Sequence, residues 1–438
     1  MNQSLFIEYV NKIWPKLSLY VNEKTNGKKT PLKYFHKEML TPVYSADQKW
    51  EGTSANVTYV AADMVSLDSP LPLKKRDSIA TASGTLPKIG MKKQLSETQI
   101  NAINIMKAHL SLMDGQAAKD QKNRIFTKII DDGLACSTGI DERNEANFLA
   151  ALSDGVIVIE DEKNTGTGLR VDFGYLPEHA FGVASVGTIT GDDFERVFTK
   201  ANEDGNTIAA IAIAKSAHTA IRKSVWAKEL VARYKEQVYT DASKLPVPTA
   251  ASFDEAFEAE YGASFFVIDR SVTIEKNGVR TAYKPFNADK LVFLPSTDNV
   301  GSLVWGTLAE DTNRVAGVEY TTVDQYKLIS RYSKNDPLAE FTNGQALVLP
   351  VIEGVDSIYT IDLSDAQPIN ETALVGDDDM VVTVWGANYK KAEFIAAMKA
   401  MGVGINVNAT DATIVKKVNE LSDADEAKLK AAVESHKA

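Results

Sequence analysis

Cysteine is almost missing from this 438-residue chain, where Cys136 stands alone. One thiol cannot close an internal disulfide, so no bridge framework holds the fold, and zinc sites built on clustered thiolates are excluded with it. Histidine is scarce as well. His36, His109, His179, His218 and His436 include no pair four residues apart and no His-Glu-X-X-His run, which excludes a helix-borne metalloprotease zinc site. Long apolar runs are also lacking. The most continuous, Ile208–Ala214, falls far short of the ~20 residues a membrane helix needs. The start, Met1–Glu8, has no basic segment leading into an apolar stretch, so no signal peptide and no membrane association are expected. Positive charge is in deficit: 48 Lys and Arg against 59 Asp and Glu leave −11. That balance argues against wrapping nucleic acid by charge neutralisation. It suits a surface that tolerates high local protein concentration.

Catalytic patterns are equally thin. Gly27-Lys28-Lys29-Thr30 imitates the end of a phosphate loop, but the upstream glycine and the preceding strand are missing. Cys136 has no histidine within sequence reach and reads as a small buried hydrophobe. Asp377-Asp378-Asp379 reads as a solvated interdomain turn, not a cation site. Lys74-Lys75-Arg76 is too short and too poor in aromatics for a nucleic-acid patch, and fits a salt-bridge partner on a neighbouring surface. No catalytic residue, metal site or cofactor is expected.

What is present points to several structural units. An apolar share of 44% can fill a large core, and the length suggests two to four units. The first ~40 residues are an exception. Phe6, Tyr9, Val10, Ile13 and Trp14 are spaced as on a helical turn and a half before Pro15, and a polar thread follows from Asn22. This reads as an arm that docks on something rather than a domain with its own core, with Phe6, Tyr9 and Trp14 as its candidate contacts; the alternative on pattern alone is a poorly ordered terminus. Residues 43–95 have strand propensity, as in Val57–Val60, but few large apolar side chains, and Pro70 and Pro72 break them. A long two-stranded hairpin reaching away from its own subunit would explain the stretch, with a partner burying what the chain cannot.

Helices begin at a capping box, Ser96 to Gln99, followed by Ile100, Ile103, Met106, Leu110 and Met113 on one face. A second helix is predicted over about 119–132 and a third over about 141–153, ended by Gly155. Strands are predicted at 156–159, 208–213, 265–268, 291–294, 303–305, 346–349 and 358–363. Helices are predicted over about 192–203 and across Ile221–Leu230. Asn277-Gly278 is the strongest short hairpin signal. From Val381 a βαβαα pattern restarts: a strand to Trp385, a helix over 392–401, a strand at 405–407, and helices from Thr410 and Ser422.

Taken in order, this arm, core-poor loop, helix set, α/β unit and returning strand resemble the major capsid proteins of tailed bacteriophages. Three local stretches carry the resemblance. Arg143-X-Glu145-X-X-Phe148-Leu149-X-X-Leu152-X-Asp154-Gly155-X-Ile157-X-Ile159, followed by Val171-Asp-Phe-Gly174, is similar to the end of that family's spine helix and its exit strand. Leu294-Pro295, Gly301-X-Leu303-X-X-Gly306 and Glu310 are similar to its late strand and turn, and Asp336-Pro337 with Ala346-X-X-Leu349-Pro350-Val351 to its closing strand. The resemblance covers roughly residues 1–375.

It implies an α+β fold of the Hong Kong ninety-seven type. The expected parts are an N-terminal arm (1–42), an extended loop (43–95), a peripheral domain with the spine helix (96–185 and 336–375) and an axial domain (186–335). An additional C-terminal α/β domain would occupy 380–438, on the shell's outer surface or at capsomer contacts. The implied function is self-assembly into hexamers and pentamers of an icosahedral shell around the double-stranded DNA of a tailed phage. The alternative is a cellular, encapsulin-like compartment shell enclosing enzyme cargo. Implied partners are further copies of the chain, scaffolding, portal and decoration or minor capsid proteins, and packaged DNA contacted non-specifically. Phe6, Tyr9 and Trp14 of the arm and Lys74, Lys75 and Arg76 of the loop are then contacts to neighbouring copies, which alone would bury the apolar ones. Assembly in the bacterial host cytoplasm and residence in the virion capsid are the implied locations.

Overall fold

The computed structural model describes residues 2–26, 33–55, 79–159, 168–239, 241–367, 381–385, 387–401, 414–415, 417–418, 421 and 423–433. The chain divides into two units, Met1–Asp365 and Ala366–Ala438.

Two sheets organise the first unit. In the first, Leu40–Tyr44 runs parallel to Gly301–Gly306, which pairs antiparallel with the 15-residue strand Leu338–Ile352. That long strand also pairs with Lys327–Asn335 and with Lys88–Ser96, and Glu319–Val323 closes the far side. The second sheet has the order Ala180–Val183, Tyr359–Ala366, Lys290–Leu294, Ala210–Ala214, Ser264–Ile268. Helices Gly191–Glu203, Lys215–Arg222, Val225–Tyr234 and Ala250–Tyr261 accompany it, and Phe194, Phe253, Phe257 and Phe293 fill the core between. Ala250–Tyr261 was not anticipated, because its inward face is only Phe253, Ala256 and Phe257 and gives no extended stripe. The helix expected across Ile221–Leu230 is two helices. They break at Ser224, whose hydroxyl accepts the Ala227 N–H at 3.1 Å and so caps the second.

One helix of 40 residues, Gly115–Asp154, packs on the first sheet. The sequence predicts two helices here, and the structure corrects that. Gly133 and Gly139 look like interruptions, yet both mark close approaches: a Cβ on Gly133 would lie 3.3 Å from Leu17 and from Trp14, and one on Gly139 would collide with Met91. Each glycine costs about 1 kcal/mol of helix propensity. The packing it permits offsets that. The end is as expected, with Gly155 at φ 68° and its N–H donating to Ala151 O at 2.8 Å. Ser96 and Gln99 form the anticipated capping box on Glu97–Leu110.

Strand pairing moves the expected boundaries. Residues 40–44 and 88–96 belong to the first sheet, which leaves the hairpin Lys49–Ala55 with Ile79–Thr85 as the described part of the loop. Residues 301–335 join 338–352 in the first sheet, whereas 359–366 join 210–214 and 290–294 in the second. Hydrogen bonds between distant strands decide this, and local pattern does not carry them. Val57–Val60, Met64–Leu73, Ile405–Val407 and the acidic trio 377–379 lie outside the described residues.

Asn277-Gly278 makes the predicted turn, with φ of 51° and 78°, and Lys276 pairs with Val279 across it. In the second unit, Val381–Val384 pairs with Ala387–Lys390, and helices Lys391–Ala400 and Asp423–Val433 follow. Its own core includes Val382, Tyr389, Phe394, Met398, Ile414 and Leu429. Residues 387–390 form a second hairpin strand that the βαβαα reading lacks, reached through Trp385 at φ 55°.

Candidate assembly surfaces

The arm is helical over Ile7–Ile13 and Leu17–Asn26, joined by the tight turn Trp14–Lys16 that Pro15 sets. Phe6 and Trp14 are 2% and 3% exposed, and together with Val10, Leu17 and Val21 they pack on Ile125, Ile129 and Ile130 of the long helix. Tyr9 is half-buried beside them, with the Lys107 ammonium 5.3 Å above its ring. Burial and the nearby Glu8 push its phenol pKa up. The expectation that only neighbouring copies cover these residues is therefore corrected. The polar thread conceals an amphipathic seat on the arm's own chain, including Gly133 and Cys136, which no spacing within the arm reveals.

Polar contacts fix the arm's start. The Leu5 N–H donates to Glu340 Oε2 at 3.1 Å, and the Ser4 hydroxyl donates to Oε1 of the same carboxylate. Glu340 also receives Arg331 Nε at 2.6 Å, and both side chains are fully buried. Asn2 and Ser333 exchange backbone hydrogen bonds at 2.9 and 3.0 Å.

Where the chain leaves the arm it is locked to the long helix. Glu145 accepts the N–H groups of Phe35 and His36 at 3.0 and 3.1 Å, and His36 Nδ1 lies 2.6 Å from the same carboxylate. Glu145 thus serves the unpaired donors at the start of the short helix Phe35–Met39. One residue on, Lys37 contacts Asp141 and Asp324 at 3.0 and 3.2 Å, and buried Lys327 contacts the same two at 2.6 and 2.7 Å. Burial alone would lower the Lys37 pKa, but the two carboxylates outweigh it and hold the ammonium above its ordinary value. Burial likewise opposes Asp324 ionisation, yet Lys327 and Lys37 pull its carboxyl below the usual range. Glu145 stands in the sequence motif, but nothing in the sequence marks His36, Asp141, Asp324 and Lys327 as a cluster around it. Nearly 300 residues separate its ends, and no local signal joins them.

The hairpin base is also anchored. Trp50 is buried against Phe173 with ring centroids 5.8 Å apart, and Leu86 N–H donates to Gln48 O at 2.9 Å. Lys49–Ala55 and Ile79–Thr85 pair over seven residues, and in sequence the stretches 52–55 and 79–84 hold no large apolar residue except Ile79. Lys74, Lys75 and Arg76 lie outside the described residues.

The remaining reactive side chains are built into packing. Burial, then Asp132, pushes the Cys136 thiol up to about 12, and its sulfur faces Thr342 O. His179 stacks on Tyr359 with centroids 4.1 Å apart and meets Asp204 at 3.2 Å, and His218 meets Asp254 at 2.8 Å among Phe253 and Phe265. Among the described residues, no group of three His, Cys, Asp or Glu could hold a metal ion, and no helix is long and apolar enough to cross a membrane.

No curated protein matches the chain. Among solved structures, a protein named as the capsid protein of an E. coli CFT073 prophage is 13% identical with TM-score 0.46, over 80% of this chain and 98% of that one. The capsid of cyanophage A-1(L) is 13% identical with TM-score 0.41, over 76% and 92%. The SrpI encapsulin of Synechococcus elongatus PCC 7942 is 10% identical with TM-score 0.34, over 80% and 96%. The sequence model of one family, described as phage major capsid protein E, matches residues 45–362, which is most of the first unit, and on that match the chain belongs to the phage major capsid protein E family.

Proposed function

We propose that this capsid shell protein assembles into hexamers and pentamers of an icosahedral shell that encloses the double-stranded DNA genome of a tailed phage. The observation that supports this most is the hairpin Lys49–Ala55 with Ile79–Thr85, a two-stranded ribbon on a buried Trp50 base. An isolated two-stranded ribbon is marginal in water, so a neighbouring copy is its natural support. On this reading the arm corresponds to 1–42, the ribbon to the extended loop, and the long helix to the peripheral spine. The second-sheet region lines the capsomer axis, and 380–438 is an added domain at the outer surface or between capsomers. Lys74, Lys75 and Arg76, with the exposed rim of the arm around Tyr9, contact neighbouring copies. Scaffolding, portal and decoration or minor capsid proteins complete the particle, which assembles in the bacterial host cytoplasm and ends as the virion capsid. DNA is contacted without sequence preference, in keeping with a chain of net charge −11.

The test is the content of particles purified from an infected or expressing host and treated with nuclease. Protected double-stranded DNA of uniform length, in shells with a tail at one vertex, is the expected result. Shells packed with enzyme and free of DNA would replace this reading with the cellular compartment.

A further inference from the structure

Leu40–Tyr44 is the open edge of the first sheet. Its inner side pairs with Gly301–Gly306, and nothing among the described residues pairs with its outer side. Thr41 to Tyr44 are exposed, Val43 by 44% and Tyr44 by 53%. The opposite edge strand, Glu319–Val323, is backed by the arm: Thr321 donates to Trp14 O at 3.0 Å, and Val323 is buried in the arm's core. The two edges are managed differently.

The open edge is also the more hazardous. Leu40-Thr-Pro-Val-Tyr44 carries no charge, and Thr41, Val43 and Tyr44 favour strands. An exposed, uncharged, apolar edge strand is a template for pairing with another chain. Which backbone groups face outward follows from the inner ladder. Ser45 N–H donates to Trp305 O at 2.8 Å, and Val300 N–H donates to Met39 O at 2.9 Å. Odd-numbered residues therefore turn their backbone groups into the sheet. With a period of two, those of Leu40, Pro42 and Tyr44 turn outward.

Proline has no N–H. The most direct intruder is a second copy of the same strand, laid antiparallel across a two-fold axis. That pairing sets Leu40 opposite Tyr44 and Pro42 opposite Pro42, so the central pair, which should exchange two hydrogen bonds, can exchange none. We propose that Pro42 is an edge guard that keeps two copies of this chain from pairing through Leu40–Tyr44. A shell subunit has particular use for such a guard, because it must meet its own copies at high concentration through other surfaces.

The test compares the full chain with Pro42→Thr, which restores the outward N–H, and with Pro42→Thr/Val43→Lys, which restores it but adds a charge to the edge. Pro42→Thr should keep the parent's circular dichroism yet associate at about tenfold lower concentration into assemblies that are not shells. In those assemblies the Leu40 and Tyr44 amides should exchange slowly. The double variant should return to the parent's behaviour. If Pro42→Thr stays as dispersed as the parent at every concentration, the proposal is overturned. A second measurement stands even if that variant does not fold: in the unassembled parent the Leu40 and Tyr44 amides should exchange freely. Protection there means a partner already occupies the edge, and that also overturns it.

Discussion

Gly344 shows how closely the long helix meets the first sheet. A Cβ there would lie 2.7 Å from Cys136 Cβ and 3.1 Å from its carbonyl oxygen. Gly→Ala at a position with ordinary backbone angles normally stabilises by about 0.4–1 kcal/mol. Here overpacking should win, and Gly344→Ala should destabilise by about 1–3 kcal/mol in urea unfolding of the unassembled chain. A rise in the urea midpoint would show that the helix can back away. Lys327 gives a second residue-scale prediction. Removing it leaves Asp141 and Asp324 with only the partly exposed Lys37, so Lys327→Met should cost up to about 3 kcal/mol, the low end for breaking a buried pair. Lys327→Met/Asp141→Leu should cost less, because the pair goes together. The pH window follows from the two shifts. Asp324 lies below its ordinary 3.8, so its contribution is present above that value and is lost as pH falls through the lowered one. Lys37 lies above its ordinary 10.5, so its contribution holds below that value and is lost as pH rises through the raised one. The lock should stand from mildly acid to mildly alkaline pH. Its loss can be followed as a falling amide protection factor over residues 33–39, and protection unchanged down to the acid unfolding of the chain would contradict the assignment.

At the scale of elements, legibility divided along how local the information was. The Ser96–Gln99 capping box, the Gly155 helix end and the Asn277-Gly278 turn were readable because each rests on neighbours within four residues. The continuity of Gly115–Asp154 was not, since what justifies Gly133 and Gly139 is Trp14, Leu17 and Met91 arriving from elsewhere. The same holds for Leu338–Ile352, whose three partners start at residues 88, 301 and 327. The candidate contacts fared unevenly. Spacing picked out Phe6, Tyr9 and Trp14 as one apolar face, but it could not say that their own long helix receives them. The arm also yields a prediction. Deleting residues 1–26 uncovers Ile125, Ile129 and Ile329 and leaves the buried Arg331–Glu340 pair without Ser4. The truncated chain should bind a hydrophobic dye and melt several degrees lower, while the second sheet, whose aromatic core is a separate cluster from the one that holds Phe6 and Val21, keeps its protection in hydrogen exchange. A melting temperature equal to the parent's would mean that the arm is only a passenger on this unit.

For the whole molecule, scarcity of cysteine, histidine clusters and positive charge goes with a chain whose polar groups are used for structure. Three buried carboxylates tie distant segments together: Glu340 holds the arm start, Glu145 the arm exit, and Asp141 joins the long helix to Lys327. On the function proposed above, such cross-links fix the fold of one copy, and its hairpin and open edge are what face its neighbours. The most direct check on the central claim is electron microscopy of the purified full chain, at moderate and at high concentration. Closed shells of uniform diameter with hexameric and pentameric capsomers are the predicted result. A monodisperse monomer under every condition, with no shells in either preparation, would contradict it.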